Sequence, residues 1–494
     1  MSQYLIFQII TPIFFSLINI IFSSNKITQW IFLFSTFINL IFLIPIFSEI
    51  INSENSNIIY LLGDYSNQYG IELKLNFFSF IFLAIINYTA FILSIYKFNF
   101  KNFSYKTNSL LLFAITGFIG IVISNDIFNI YVFLEISSLA SYALVASNNY
   151  SLPSLYASFN YLIFGTIGAT FYLIGVAFLY LYSGTLNISI LLKNTGILTN
   201  YNQSYIFLSF FFIISGLLLK IGIFPIHNWL NNIYKKSENY LSIFFSGTST
   251  IISIYIFCLF AFNIFVWSNY AQKIHFNYFL EFIGGISIIY FSFLAYANQN
   301  AKKILIYSSL AQIGYFLCCL GIGTKESIAA FCFQLINHGI SKSILFALFS
   351  HEIFHHLKSP LITKIHFLLT SIFILNLIGI PLFFGFFAKF NMITSIIKSK
   401  NNFFTILSVT IGTFFSILYG LKLLRIARYR DDPTLTKKYE LGINREIIDN
   451  NFISEKQFYC FILISALPIF FSIYFYNSIN QFIINAVSNL LIFR

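Results

Sequence analysis

Glu135, Lys220, His338, Lys342 and Lys389 are ionisable side chains set inside long apolar stretches. Glu135 lies in DIFNIYVFLEISSLASYAL, about nine residues into a helix starting at Asp126, which puts it near a bilayer midplane at a rise of 1.5 Å per residue. An ionisable group there costs at least ~2.5–3.5 kcal/mol, so it must face protein or water. It is either a proton carrier or a structural Glu paired with a neighbouring Lys. Lys220 stands in SGLLLKIGIFPIHNWL, with Pro225 shortly after it. Proline removes a backbone donor and clashes with the preceding turn, so this span reads as a broken helix. Interrupted spans expose backbone groups that only water or protein can satisfy, and in transporters they form midplane ion sites. His227, just past the break, either relays protons or caps a freed carbonyl.

Lys389, in IGIPLFFGFFAKFNMI, repeats the device beside Pro381 and Gly385. In FQLINHGISKSILF, His338 and Lys342 are spaced i, i+4 and project from one helix face, as a proton relay or as a pair bonded to carbonyls. His351, His355 and His356 follow; a metal site and a set of solvated loop histidines are both open readings, with solvation favoured. A row of titratable groups at mid-membrane is chemistry for moving protons.

The elements that must position these groups are membrane spans. The chain of 494 residues is 58% hydrophobic and 9% charged, and apolar runs of about 20 residues recur along its length. Spans are predicted at 4 to 23, 28 to 48, 73 to 96, 108 to 124, 126 to 149, 155 to 184, 205 to 233, 241 to 267, 278 to 297, 302 to 323, 326 to 350, 366 to 399, 402 to 427 and 455 to 478. The expected fold is all-α, a polytopic integral membrane protein of about 14 transmembrane helices. The first run lacks a basic n-region and a small-residue cleavage site, so it reads as a span rather than a signal peptide.

Basic residues gather on one side: Lys26; Lys97, Lys101 and Lys106; Lys235 and Lys236; Lys302 and Lys303; Lys358 and Lys364; and a stretch from Arg425 to Lys456. Lys74, Lys193, Lys273, Lys325, Lys398, Lys400 and Arg494 fall on the other. The positive-inside rule then places both termini outside. Lys422 lies close enough to the inner end of its span to snorkel. The +12 net charge is spread over short loops, which argues against nucleic acid. Cys258, Cys318, Cys319, Cys332 and Cys460 lie in apolar runs without metal or redox spacing and read as buried free thiols. No Rossmann GxGxxG or cysteine cluster would hold nicotinamide, flavin or iron–sulfur, so no cofactor is expected.

The broken, lysine-bearing spans seven and twelve are five apart, an odd offset that reverses direction, as inverted repeats require. The expected division is 1–107 (helices 1–3 with an outside loop), 108–267 (repeat one, helices 4–8), 278–430 (repeat two, helices 9–13) and 431–494 (inner loop, helix 14 and outside C-terminus).

At these residues, over roughly 60 to 430, the chain resembles the antiporter-like family shared by Mrp-type cation/proton antiporters and the membrane arm of respiratory complex I. LGDYSNQYGIELKLNFFS, SNDIFNIYVFLEISSLASYAL and FYLIGVAFLYLYSGTLNIS most resemble the D-type branch of the Mrp antiporters, and AKKILIYSSLAQIGY is a family-wide signature. Lys rather than Glu at 389 fits that branch and also the complex I subunits resembling the quinone-side and distal modules. The resemblance implies that Glu135 and Lys220 form a switching pair, that His338 and Lys342 continue a hydrated axis, and that Lys389 is the terminal proton carrier, with His227, Pro225 and Thr250 as accessories. It departs from the family at Ile251, where a Lys is usual, with Thr250 and Ser249 nearby, and at Asn231 and Asn232, where Pro-Asp is usual. At an effective dielectric of 20, a unit charge ~5 Å away contributes about 3.3 kcal/mol and one ~15 Å away about 1.1, so separating Glu135 from Lys220 would alter proton affinity more than tenfold.

The resemblance implies a component of a multi-subunit Na+/H+ antiporter, with other membrane subunits, protons and Na+ as partners. The alternatives are a proton-pumping subunit of an NADH:quinone oxidoreductase or related membrane hydrogenase, and a non-conducting structural subunit. The expected location is a bacterial inner membrane, or less readily a mitochondrial one.

Overall fold

Backbone groups in a bilayer must be satisfied within the chain, which leaves helices as the way for this composition to cross. The structure is a computed structural model that describes residues 3–22, 24–53, 57–65, 70–100, 104–147, 151–194, 203–264, 275–350, 360–399, 403–428 and 483–484. Its helices are α1 (Gln3–Ile21), α2 (Asn25–Asn52), α3 (Phe77–Phe100), α4 (Tyr105–Ile123), α5 (Ile127–Ala146), α6 (Leu152–Ser183), α7 (Ile188–Asn194), α8 (Gln203–Ile221) and α9 (Asn228–Lys236). Then come α10 (Asn239–Gly247), α11 (Ser249–Cys258), α12 (Phe276–Ala297), α13 (Ala301–Ile322), α14 (Lys325–Leu348), α15 (Pro360–Ile378), α16 (Phe384–Lys398) and α17 (Phe403–Arg428). Among the described residues, 11 helices are long and apolar enough to cross a membrane. Every expected span from the first to the thirteenth coincides with a helix or a pair of helices. The fourteenth, 455 to 478, lies outside the described residues, as do His351, His355, His356 and Cys460.

Polar caps begin several helices. Asp126 Oδ1 accepts from Asn129 N at 2.8 Å to start α5, Asn300 caps α13, and Thr324 Oγ1 accepts from Ser327 N at 3.1 Å to start α14. The central helix is α13, with 94% of its span window buried against 28% for α2, which turns Phe34, Phe37, Ile41 and Ile44 outward toward lipid. Close helix contact runs through glycine. A Cβ on Gly216 of α8 would lie 2.5 Å from Gly168 O of α6, and one on Gly284 of α12 would lie 2.8 Å from Gly314 O of α13. Neighbours pack in the same order in two sets: α4 on α5, α5 on α6 and α6 on α8; then α12 on α13, α13 on α14 and α14 on α16.

Three features are absent from the sequence reading. The loop after α2 carries a short two-stranded antiparallel hairpin, β1 (Asn57–Leu61) and β2 (Glu72–Asn76), a detail added to the helical fold expected. Glu72, 1% exposed, accepts from Asn187 Nδ2 at 2.7 Å, and its carbonyl accepts from Asn125 N at 3.0 Å, clasping the hairpin to the start of α5 and to α7. The eighth span is kinked at Thr248, between α10 and α11, rather than continuous. Finally, Lys97 is not a loop charge: it is buried at the end of α3, donates to Asn108 Oδ1 at 2.9 Å and lies over the Tyr240 ring at 4.8 Å. The inward turn replaces water with a carboxamide and an aromatic face, each able to hold an ammonium.

Candidate functional site

The first break follows α8. The helix ends at Ile221, Gly222 takes φ +73°, and α9 resumes at Asn228. Lys220, one residue before Ile221 and the glycine that follows it, donates from Nζ to Ser138 Oγ on α5 at 3.2 Å. Its stem passes Gly168, where a Cβ would sit 3.0 Å from Lys220 Cγ. A cavity of about 40 Å³ opens at Lys220, walled by Ser137, Ser138, Tyr161, Trp229, Ser249 and Ser253 among apolar neighbours. At ~10–15 Å³ each, that is room for about three waters. Trp229 Nε1 is buried without a partner on this wall, a donor of the kind that water satisfies.

Glu135 lies one turn from Ser138 on the same helix, half-buried. It is within electrostatic reach of Lys220, but it makes no ion pair or hydrogen bond among the described residues. The expected pair thus makes no direct bond among the described residues, and Lys220 bonds Ser138 instead. His227 bonds its own break, with Nδ1 at 3.1 Å from Pro225 O, and its ring packs edge-on against Phe291 at 4.7 Å. That is the capping alternative. Thr250 is buried outside the cavity wall, whereas the neighbouring Ser249 and Ser253 line it.

His338 and Lys342 form a second cluster, both on the side of α14 that faces α13. Lys342 Nζ donates to Leu305 O at 3.1 Å and to Ser308 Oγ, while His338 stands edge-on to Phe316 with Nδ1 unpartnered. Ile251, on the helix that gives Ser249 and Ser253 to the Lys220 cavity, is fully buried. Its Cδ1 lies 3.3 Å from the Cβ position of Gly339, the residue next to His338, and Ile85 closes on the same glycine.

The second break follows α15, which ends at Ile378; Gly379 takes φ +83° and α16 starts at Phe384. Here the lysine comes after the break rather than before it. Lys389 Nζ reaches back to donate to Ile378 O at 2.6 Å, capping the negative end of α15, and to Ser416 Oγ of α17 at 3.0 Å. A carboxamide knot holds the break: Asn376 Nδ2 donates to Asn337 Oδ1 at 2.6 Å and to Ser341 Oγ at 2.8 Å, while Asn376 Oδ1 accepts from Gly385 N at 2.8 Å. Asn337 and Ser341 each adjoin a member of the second cluster, so hydrogen-bonding groups run from Lys342 to the Lys389 break. Sequence reasoning missed the knot and the serines at 138, 308 and 416, because Ser and Asn are common inside spans as helix-to-helix bonds.

Two interrupted helices, each presenting a lysine held by neutral oxygens, mark a polytopic membrane fold with paired helix breaks. The chain belongs to the family described as NADH:quinone oxidoreductase/Mrp antiporter, transmembrane, whose pattern matches residues 124–416. NADH-quinone oxidoreductase subunit N of Desulforudis audaxviator is 31% identical over 59% of this chain and 58% of its own length. The subunit N of Pelagibacter ubique is 28% identical over 71% and 75%. The first match therefore spans less than two thirds of that relative. The fold is shared with a chain of the archaeal membrane-bound sulfane sulfur reductase (TM-score 0.80, 22% identity, 99% of this chain and 97% of that one). It is also shared with a chain of the Mrp complex from Dietzia (TM-score 0.81, 19% identity, 99% and 97%). The family is the one expected; within it, these two curated relatives carry the name subunit N of the quinone oxidoreductase, not that of the D-type Mrp branch.

Proposed function

We propose that this chain is a proton-translocating membrane subunit of a multi-subunit respiratory complex of the NADH:quinone oxidoreductase kind, occupying the place of subunit N. The carrying observation is the pair of broken helices that bring Lys220 and Lys389 to neutral partners, with Lys342 and the Asn337, Ser341 and Asn376 network leading to the second of them. Spans four to eight and nine to thirteen act as inverted repeats, each carrying one half-channel. Redox chemistry resides in partner subunits. Movement of Glu135 relative to Lys220 switches the first lysine, and Lys389 delivers protons toward the hairpin end, the outer side by the distribution of Lys and Arg, along with the N-terminus.

The motifs shared with the D-type Mrp branch bear on structure more than on the ion carried. Asn187 of SGTLN and Glu72 of the loop motif are the two halves of the hairpin clasp. This favours the respiratory assignment over a Na+/H+ antiporter. To test both, the tagged complex is purified, reconstituted into pyranine-filled liposomes and driven by a potassium diffusion potential with valinomycin. Proton flux is expected to need Lys220 and Lys389 and to persist when Na+ is replaced by choline. Full flux in Lys220→Ala and Lys389→Ala would eliminate the proposal, and strict Na+ dependence would return the antiporter reading.

A further inference from the structure

The route described so far stops at Lys389, near mid-membrane, and leaves unused a buried carboxyl group between it and the hairpin end. Glu281 lies in the second turn of α12, 7% exposed, and its carboxylate makes no hydrogen bond or ion pair among the described residues. Its stem is pressed over Gly321 of α13, where a Cβ would come within 2.6 Å of Glu281 Cγ. A buried carboxylate kept for structure is expected to have a partner, because an unpaired one costs several kcal/mol.

Hydroxyl side chains stand between Glu281 and Lys389. Ser416, which accepts from Lys389, begins a buried face of α17 that continues through Gly412, Ser408 and Thr405 at helical spacing toward the hairpin end. Against Gly412 stands Tyr315 of α13, 2% exposed, with its hydroxyl unpartnered; a Cβ on Gly412 would lie 2.5 Å from that oxygen. Farther along, Ser408 Oγ lies 3.1 Å from the Cβ position of Gly285, one turn from Glu281. At 1.5 Å per residue, Glu281 sits ~8 Å inside the start of α12 and Ser416 ~20 Å inside the start of α17, so the row crosses the outer half of the span.

We propose that Glu281 is the last proton carrier between Lys389 and water at the hairpin end, with Tyr315 and Ser416 relaying to it; this rests on the proton-translocating reading above. The Lys389 ammonium gives its proton to Ser416 Oγ, which releases its own. Tyr315 does likewise through intervening water, and the Glu281 carboxylate becomes a carboxylic acid. Loss of that proton to bulk water restores the carboxylate, and Lys389, now an amine, is refilled from the Lys342 side. Each O–H or N–H bond broken is matched by one formed.

The test uses the tagged complex in the liposome assay with four variants. Glu281→Gln, which keeps shape but not the ionisable group, is expected to lower flux about tenfold or more with yield and thermal midpoint unchanged. Glu281→Asp restores flux to near the parent level, and Tyr315→Phe lowers it severalfold. Lys389→Ala separates the two readings. If it abolishes flux while Glu281→Gln conducts as the parent does, the release assignment is overturned and the functional reading stands. If Lys389→Ala also conducts fully, the functional reading falls and this one with it. Equal loss of flux and yield in the Gln and Asp variants would mark Glu281 as structural and overturn the inference.

Discussion

Replacing Asn376 by Leu is the sharpest probe of whether the second break is built to present Lys389. Leu has similar bulk, but it removes three buried hydrogen bonds: to Asn337 Oδ1, to Ser341 Oγ and from Gly385 N. At about 1 kcal/mol each, the knot contributes about 3 kcal/mol, and leaving the Gly385 N–H unpaired adds roughly 1–3 more. The backbones at this point are pressed together, since a Cβ on Gly385 would lie 1.9 Å from Asn376 O, so the segment cannot easily shift to find a new partner. Because 1.4 kcal/mol is a factor of ten, losing about 3 kcal/mol lowers the population of the ordered break by about two powers of ten relative to disordered alternatives. Thermal unfolding of the purified complex should move down by several degrees, and liposome proton flux should fall to a few per cent of the parent. Asn376→Asp keeps the acceptor for Gly385 N and should fall between. Parent-like flux together with a parent-like thermal midpoint in Asn376→Leu would refute the idea that this knot sets the lysine.

Gly379→Ala places a side chain at φ +83° and a Cβ 3.0 Å from Lys389 Cδ, so it should cost about 1–2 kcal/mol from the backbone alone and reduce flux; a neutral thermal scan would count against it. Ile251→Thr is expected to destabilise by about 2–3 kcal/mol, because a fully buried side chain loses an ethyl group and gains a hydroxyl. It should nonetheless raise proton flux by wetting the contact at Gly339; lower flux in a folded complex would contradict this. Lys398→Ala removes the 2.6 Å pair with Glu326, whose side chains are 63% and 48% exposed, and should change stability by no more than about 0.5 kcal/mol by denaturation in detergent.

What could be read from the sequence follows from how strongly a residue conflicts with lipid. Pro225 and Pro381 inside apolar runs announced the two breaks, and Lys220, Lys342 and Lys389 announced side chains held by polar partners inside the bundle, since neither feature survives in a plain span. Lys97 escaped because it lies one turn from the end of its run, where hydropathy is the same whether the stem turns toward water or inward. The hairpin at 57–76 escaped because its strands are short and its clasp at Glu72 and Asn187 joins residues 115 positions apart. The kink at Thr248 carries no proline. Asn376 and Ser416 look like any polar residue in a membrane helix, and only their partners in space distinguish them.

The close approach of Ile251 to Gly339 has an electrical meaning of its own. Hydrocarbon blocks a hopping proton but transmits a field, so under the proposed function charges on either side of this contact would still act on each other. At an effective dielectric of 20, a unit charge acts on another ~10 Å away with about 1.7 kcal/mol, more than a tenfold change in occupancy. Under the proposed function, loading one lysine would thereby favour discharge of another with no ion passing between them.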